Sequence, residues 1–230
     1  MSDRVLDDWL ALTETAPLGD RRRPRITLAY AQSLDGGISA VRGRPTAISG
    51  SESSRITHRL RAHHDAILVG IGTVLADDPR LTVRLCDGED PRPVVLDAGL
   101  RTPPDARLLA DGRRPLVFCA VGSSAAAKRL EDRGVELQTV ERDETGRLRL
   151  DAVLEELGRR GIRRLMVEGG GAVLSSFLAQ GVWDRAVLTV APLWLGGYTP
   201  NAGSGVRVRL ADPQWLTAGE DVICLGRRAA

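Results

Sequence analysis

The chain has 230 residues and a mass of 24.8 kDa, which is enough for a single well-filled core. Apolar residues make up 43% of it and charged residues 27%, so intrinsic disorder is excluded as its main state. The 32 basic residues are balanced by 30 acidic ones and aromatic residues make up only 3%, which argues against a nucleic-acid-binding protein. All basic residues except Lys128 are arginines, a bias that we attribute to genome composition.

The sequence carries no signal for a membrane, an export pathway or a metal. Residues 1–12 contain four charged side chains and do not resemble a signal peptide, and the longest nearly apolar run, 66–76, is too short to cross a bilayer. Cys86, Cys119 and Cys224 form no metal-binding or redox motif and suit a reducing compartment. We therefore expect a cytoplasmic protein without a resident metal.

The predicted elements begin with an amphipathic helix over residues 2–13, in which Val5, Trp9 and Leu12 share one stripe. A linker rich in arginine and proline follows, so residues 1–24 are expected to form a helix and linker, and residues 25–230 the main domain. A strand, a helix, a strand and a short helix come next, at residues 26–31, 51–64, 65–70 and 73–76.

Two features are predicted for the ends of the helix over residues 51–64. Ser51 is a suitable N-cap, because its side-chain oxygen can accept a hydrogen bond from the first turn. His63 and His64 are expected to be cations that the helix dipole favours at the C-terminal end.

Strands and helices alternate through the middle of the chain. Strands are predicted at residues 93–97, 116–120, 135–140 and 164–168, and helices at 123–133, 150–160 and 172–180. Four strands without intervening helices follow, at residues 186–191, 206–210, 214–217 and 222–225. We therefore predict an α/β fold of three layers, with a mostly parallel central sheet and antiparallel strands at its C-terminal edge.

The strongest functional signal is Glu168 followed by Gly169, Gly170 and Gly171, between a buried strand and a helix. Bare glycines allow a close approach of backbone to phosphate, and a helix N-terminus attracts anions. The alternative is a tight turn with no ligand. Glu168 itself could form an ion pair with an arginine, or accept hydrogen bonds from a ring N–H and an amino group.

Two other strand ends carry polar residues. In the segment 65–84, Thr73 offers a hydroxyl next to a turn, whereas Asp77 and Asp78 lie where the helix dipole disfavours acids and therefore indicate a role other than stability. The run Asp35-Gly36-Gly37 marks a turn.

These segments together resemble the pyrimidine reductases of riboflavin biosynthesis, a family similar in fold to dihydrofolate reductase. The resemblance rests on Ala-Gln-Ser-Leu-Asp-Gly at 31–36, Leu-Arg-Ala at 60–62, the segments 65–84 and 167–171, and Ala191-Pro192 before Gly196-Gly197. It extends from about Arg25 to the C-terminus, and the block 75–84 is its most specific part.

The resemblance implies an NADPH-dependent oxidoreductase that acts on a small phosphorylated pyrimidine and forms a homodimer. Its reaction reduces the ribosyl group of 5-amino-6-(5-phosphoribosylamino)uracil, or of the 2,5-diamino pyrimidinone analogue, to a ribityl group. The hydride goes to the sugar C1. NADPH would contact Ala31, Thr73, Asp77, Gly170, Gly171, Ala172, Val173, Leu174, Ser175 and Ser176.

For the substrate, the resemblance implies that Arg61 and Arg84 bind the ribose phosphate, Leu81 lines the pocket and Glu168 holds the pyrimidine ring. Asp35 and Glu168 are the candidate catalytic residues. Asp35 would have a proton or hydrogen-bond role, with solvent as the alternative proton source. A site for the cofactor's 2′-phosphate is suggested by position alone at Ser123, Ser124, Lys128 and Arg129, whose alternative is an exposed helix start.

The chain also departs from the family pattern. Gly37 stands where a lysine or arginine is frequent, and Ala98 replaces a serine. Pro-Thr-Ala-Ile-Ser at 45–49 replaces a Ser-x-Trp-Ile-Thr pattern, so the ligand-contacting serine and tryptophan of that pattern are missing. Two alternatives therefore remain: a reductase of another pterin or pyrimidine such as dihydrofolate, or a non-catalytic NADPH-binding paralogue. The presence of Arg61, Arg84 and Glu168 together favours an enzyme.

Overall fold

The computed structural model describes residues 2–15, 22–122, 124–199 and 207–229. Nine strands of these residues form one sheet: β1 (Arg25–Ser33), β2 (Ala66–Gly70), β3 (Arg92–Leu96), β4 (Leu116–Cys119), β5 (Glu136–Thr139), β6 (Arg164–Gly169), β7 (Arg185–Ala191), β8 (Leu210–Ala218) and β9 (Asp221–Arg228). Their order across the sheet is β5-β4-β3-β2-β6-β1-β7-β9-β8.

Six α-helices cover the sheet in the described residues: α1 (Ser2–Thr15), α2 (Ser51–Ala62), α3 (Ile71–Asp77), α4 (Ala125–Glu131), α5 (Leu150–Arg159) and α6 (Gly171–Gln180). Two hydrophobic clusters separate them into layers. One cluster joins α1, α2, α3 and α4 to the first face of the sheet, and the other joins α5 and α6 to the second face. The three-layer arrangement is therefore confirmed.

Strands β1 to β7 pair with one another in parallel. Strand β9 pairs antiparallel with β7, and β8 pairs antiparallel with β9. All five residues of β2 are buried, as expected for a continuous apolar run in a parallel sheet with both faces covered. The prediction of a mostly parallel sheet with an antiparallel C-terminal edge is confirmed in these strands.

The predicted strand at 206–210 is wrong in its described part, because residues 207–209 lie outside any strand and β8 begins at Leu210. Val206 lies outside the described residues. The strand predicted at 186–191 belongs to the parallel part, with Thr27 paired to Arg185 in β7. Helix α6 lies between β6 and β7 and returns the chain in the same direction, which is why β7 runs parallel to β1.

The structure corrects the cap predicted at Ser51 and the cation predicted at His64. Ser51 is the first residue of the helix, and the N-cap is Gly50, whose N–H donates to Asp221 Oδ2 at 2.8 Å. Ser53 Oγ donates to the same oxygen at 2.6 Å, so a carboxylate of β9 satisfies the start of the helix. His64 is buried, and this burial lowers its pKa to about 4, so its imidazole is not the cation that was predicted.

Helix α1 is part of the same core as the sheet. Leu6, Trp9 and Leu10 are buried in the first cluster, and the Arg185 guanidinium lies 5.2 Å from the Trp9 ring centroid. The side chain of Leu12 and the linker residues 16–21 lie outside the described residues. None of the helices that the structure describes has the length and apolar character needed to cross a membrane.

Candidate active site

A cleft of about 960 Å³ opens where the carboxyl ends of β1, β2 and β6 meet. Ala31, Gly70 and Glu168 border it from these three strands. Strands β1 and β2 follow each other in the chain, but β6 lies between them in the sheet. The carboxyl ends of β1 and β2 are therefore separated by the width of one strand. Parallel α/β sheets bind ligands at such points, and the volume lies at the upper end of the range for small-molecule sites.

Glu168 enters the cleft through an irregularity in β6. Leu68 of β2 pairs with Val167, but the next residue, Val69, pairs with Gly169, so Glu168 is skipped in the register. Such a bulge re-aims a side chain next to a site, which is why this carboxylate borders the cleft.

The Glu168 carboxylate is held by Arg61 of α2. Arg61 Nε donates to Glu168 Oε2 at 2.7 Å, and Nη2 donates to Oε1 of the same carboxylate. Arg61 Nη1 donates to the Thr82 carbonyl at 2.9 Å, and the Arg61 side chain is only 10% exposed. This two-pronged ion pair fixes both side chains, so Arg61 has a partner before any phosphate binds.

Arg84 lies on the same side of the cleft as Arg61. Its backbone N–H donates to His58 Nδ1 at 2.8 Å, and its guanidinium Nη1 donates to Thr82 Oγ1 at 2.5 Å. Partial burial and then the charge of Arg61 lower the pKa of Arg84. Two crowded cations of this kind form a suitable environment for a phosphate group.

The glycine run after Glu168 forms a cradle in the same cleft. Gly170 has φ 84°, and a Cβ there would lie 3.0 Å from Thr73 Oγ1. A Cβ on Gly171 would lie 2.5 Å from Cε1 of Tyr198, whose ring therefore closes over the start of α6. The first N–H groups of α6 have no partners within the helix, so this cradle is suited to a pyrophosphate.

Seven arginines line the cleft, against three carboxylates: Arg42, Arg44, Arg61, Arg84, Arg101, Arg142 and Arg147, with Asp77, Asp143 and Glu168. Arg147 Nη1 donates to Ser176 Oγ at 3.0 Å, and Arg142 Nη2 donates to the Ala98 carbonyl at 3.3 Å. The arginine bias that we attributed to composition thus concentrates positive charge at this cleft, which favours polyanionic ligands.

Most of the predicted site residues line this one cleft: Ala31, Arg61, Thr73, Asp77, Arg84, Glu168, Gly170, Gly171, Ala172, Val173, Leu174 and Ser176. The two acids at the end of α3 have different places. Asp77 lines the cleft and burial raises its pKa, whereas Asp78 Oδ1 accepts the Arg107 N–H at 2.8 Å. Asp78 therefore braces a loop.

Three predicted residues do not line the cleft. Leu81 is 2% exposed and packs in the core, and its carbonyl accepts a hydrogen bond from Arg113 Nη1 at 2.8 Å. Ser175 Oγ donates to the Gly171 carbonyl at 2.6 Å. Asp35 accepts hydrogen bonds from Ser33 Oγ at 2.5 Å and from the backbone of the loop after β7.

These hydrogen bonds change the interpretation of Asp35. The Ser33 hydroxyl first, and then the backbone N–H groups of Leu195 and Gly196, lower the pKa of Asp35 to about 2. A carboxyl group with such a pKa is ionised at neutral pH and is a poor proton donor. These contacts hold the loop after β7 and fit the hydrogen-bond role of the prediction better than the proton role.

We expect Asp35→Asn to be less stable than the parent protein at neutral pH, with a difference that shrinks in acid. Because the folded-state pKa is depressed, this carboxylate stabilises the fold above its unfolded pKa of 3.8 and loses that effect as the pH falls towards about 2. Urea unfolding of both proteins at a series of pH values measures the difference. A difference that is independent of pH would contradict this assignment.

The predicted 2′-phosphate site on α4 is corrected. Ser124 Oγ accepts the Ala127 N–H at 3.1 Å and so caps the helix, and neither Lys128 nor Arg129 lines the cleft. Ser123 lies outside the described residues. Ser124 instead fits the alternative given for this segment, which is the exposed start of a helix. Arg142 and Arg147, which line the cleft itself, are better placed for a phosphate.

Sequence reasoning missed several residues of the cleft. His58 lies one turn before Arg61 on α2, and this spacing could have identified it. Tyr198 follows the glycine pair at 196–197, and the Arg42 guanidinium lies 5.3 Å from its ring centroid. Thr46, which lies in the segment 45–49 that departs from the family pattern, and Ala98, which replaces a serine of that pattern, also line the cleft.

The part of the chain that the structure describes contains no group of three His, Cys, Asp or Glu side chains that could hold a metal ion.

Comparison with known proteins bears on this cleft. Residues 24–224 match the family model described as the RibD C-terminal domain. The 2,5-diamino-6-ribosylamino-4(3H)-pyrimidinone 5′-phosphate reductase of Archaeoglobus fulgidus is 44% identical over 186 residues, covering 76% of this chain and 83% of that protein.

Two solved structures resemble the fold. The Saccharomyces cerevisiae riboflavin biosynthesis reductase Rib7 has a TM-score of 0.78 at 28% identity, covering 98% of both chains. An Enterococcus faecalis dihydrofolate reductase complexed with NADP(H) has a TM-score of 0.50 at 13% identity, covering 88% of this chain and 96% of that one. The second likeness shows the fold alone, and with it the predicted dihydrofolate reductase-like architecture is confirmed.

Proposed function

Because the chain belongs to the RibD C-terminal domain family, we propose that it is an oxidoreductase of riboflavin biosynthesis that reduces a ribosyl group to a ribityl group. The substrate is 2,5-diamino-6-ribosylamino-4(3H)-pyrimidinone 5′-phosphate, on which the Archaeoglobus relative is named to act, or its 5-amino uracil analogue. The observation that carries the proposal is one cleft that is lined both by the glycine cradle and by the Arg61–Glu168 pair.

The residues of the cleft fit a nicotinamide dinucleotide. A bound cofactor of this class supplies a hydride. Gly170 places no side chain beside Thr73 Oγ1, which leaves backbone and a hydroxyl available to a pyrophosphate, and the Tyr198 ring lies against Gly171. Ala31 at the end of β1 is small enough to admit a flat ring.

We further propose that the cofactor is NADPH. The support is the arginine pair Arg142 and Arg147, whose guanidinium groups reach the Ala98 carbonyl and Ser176 at one end of the cleft. A phosphomonoester on the adenosine ribose is a ligand that guanidinium groups bind well, and NADH lacks it.

Arg147→Ala should weaken NADPH binding by about tenfold, the effect of losing one charged hydrogen bond, while leaving NADH binding unchanged. Fluorescence titration with each cofactor measures the two dissociation constants. Arg149→Ala is the matched control, because Arg149 lies in the same segment, pairs with Asp151 and does not line the cleft. An equal loss of affinity for NADPH and NADH would show that Arg147 does not contact the 2′-phosphate.

We propose that the substrate is oriented by Glu168 and Arg84, which line the same cleft. Glu168 presents carboxylate oxygens that can accept from a ring N–H and an amino group of the pyrimidine, once Arg61 shares or yields them. Arg84 supplies positive charge for the 5′-phosphate. Holding both ends of the substrate places the sugar C1 between them, where it can receive the hydride.

We also propose a homodimer and a cytoplasmic location, with the reductase unit beginning near residue 25. Strand β8 lies at the edge of the sheet, and Trp215 on it is 62% exposed, which suits pairing with a second copy. Sedimentation velocity measures the association, and a monomer at micromolar concentration would contradict it.

The test of the function is oxidation of NADPH with the phosphoribosylamino-pyrimidine, run beside dihydrofolate. We expect turnover with the pyrimidine alone. Turnover with dihydrofolate alone would replace this assignment by the alternative reductase, and NADPH binding without turnover of either compound would support a non-catalytic paralogue.

A further inference from the structure

His58 is a buried side chain of the cleft to which neither the family resemblance nor the proposed reaction assigns a role. It lies on α2, is 5% exposed and borders the cleft between Arg61 and Arg84. Burial first, and then the charges of Arg61 and Arg84, lower its pKa to about 4, against a smaller opposite effect of Asp90. The imidazole is therefore neutral at physiological pH.

The hydrogen-bond network determines which ring nitrogen carries the proton. The Arg84 backbone N–H donates to Nδ1 at 2.8 Å, so Nδ1 is an acceptor. A neutral imidazole carries one proton, which must then be on Nε2. His58 thus presents an N–H donor at the end of its ring.

This donor lies next to another donor. Nε2 is 3.5 Å from Arg61 Nη1, and an arginine nitrogen cannot accept a hydrogen bond. In this tautomer the two nitrogens cannot form a hydrogen bond with each other, and an anionic oxygen within reach of both could accept from both.

We propose that His58 is a third phosphate-binding residue, whose Nε2–H donates to the 5′-phosphate of the substrate beside Arg61 and Arg84. The inference rests on the proposed function, because it takes the phosphorylated pyrimidine as the ligand. His58 has a second effect through Nδ1, since it fixes the backbone at Arg84 and with it the position of that cation.

The test measures binding of ribose 5-phosphate to the protein saturated with NADP⁺, so that the cofactor's own phosphate sites are filled. The variant is His58→Asn, whose amide oxygen can still accept the Arg84 N–H but which lacks the distal donor. We expect ribose 5-phosphate to bind about tenfold more weakly, as for the loss of one hydrogen bond to a charged group. The dissociation constant of NADPH should not change.

His63→Asn is the matched control, because His63 follows the same helix and does not line the cleft. It should bind ribose 5-phosphate as the parent protein does. Equal affinities in the parent protein and His58→Asn would overturn the inference, as would a parent protein that does not bind ribose 5-phosphate.

A second measurement on the unmodified protein covers the case in which His58→Asn does not fold. The chain has only three histidines, so the ring ¹⁵N signals can be resolved. Ribose 5-phosphate should shift the Nε2–H resonance of His58, and an unchanged resonance at saturation would overturn the inference. Failure of the proposed function is distinguishable, since the parent protein would then bind ribose 5-phosphate without reducing the pyrimidine.

Discussion

Glu168→Gln is expected to lower kcat/KM for the pyrimidine substrate by about a hundredfold or more while leaving NADPH affinity nearly unchanged. The amide keeps the shape of the side chain but removes the negative charge that Arg61 and the substrate ring both use. Each hydrogen bond from the substrate ring to a charged carboxylate contributes about 1.5–3 kcal/mol, and each 1.36 kcal/mol of transition-state stabilisation corresponds to a factor of ten.

The matched control is Glu156→Gln on α5. Glu156 is 7% exposed and pairs with Arg159 at 2.5 Å and Arg160 at 2.6 Å, but it does not line the cleft. It should lose stability and keep its kcat/KM. Steady-state kinetics and cofactor titration of both variants provide the comparison. A loss of NADPH affinity in Glu168→Gln, with turnover of the bound complex preserved, would place Glu168 at the cofactor instead.

Gly170→Ala is expected to weaken NADPH binding by more than about tenfold. The residue has φ 84°, and a methyl group there would lie 3.0 Å from Thr73 Oγ1, inside the space proposed for the pyrophosphate. Left-handed backbone geometry costs an L-residue about 1–2 kcal/mol, so stability should fall as well.

Gly161→Ala separates the two effects. Gly161 has φ 81°, no atom lies within 4 Å of the Cβ position, and it does not border the cleft. Gly161→Ala should lose thermal stability through its positive φ alone, whereas Gly170→Ala should lose at least as much stability and should also lose NADPH affinity. Equal NADPH affinities in the two variants would contradict the proposal that the glycine cradle binds the pyrophosphate.

The paired geometry of Arg61 and Glu168 changes how the substrate site works. The resemblance assigns Arg61 to the phosphate and Glu168 to the ring, as two separate contacts. In the structure the two side chains form one unit, which Thr82 also holds through its carbonyl. Substrate binding then exchanges or shares hydrogen bonds of an existing ion pair. Both side chains are already ordered in the folded protein, so binding loses little of their conformational entropy.

The layered fold and the approximate position of the site could be predicted from local patterns. Continuous apolar runs such as 66–70 are typical of buried parallel strands, and alternation with amphipathic helices predicts layers. Three glycines after Glu168 indicated a ligand at the end of that strand. These signals are local, because side-chain periodicity and glycine content act within a few residues.

Contacts between distant segments could not be predicted in the same way. Arg61 and Glu168 are 107 residues apart, and they meet because β6 lies beside β2 and a bulge turns Glu168 into the cleft. The start of α2 is capped by Asp221, 171 residues further along the chain, rather than by Ser51.

The sequence by itself thus determined the layers, the parallel sheet and the strand end that carries the glycine cradle. Only the tertiary structure decided that His58 faces Arg61 and Arg84, that Asp35 braces a loop, and that seven of the many arginines converge on one cleft. The physical reason is that strand order and register bring charged groups together, and the protonation and partners of those groups depend on that proximity.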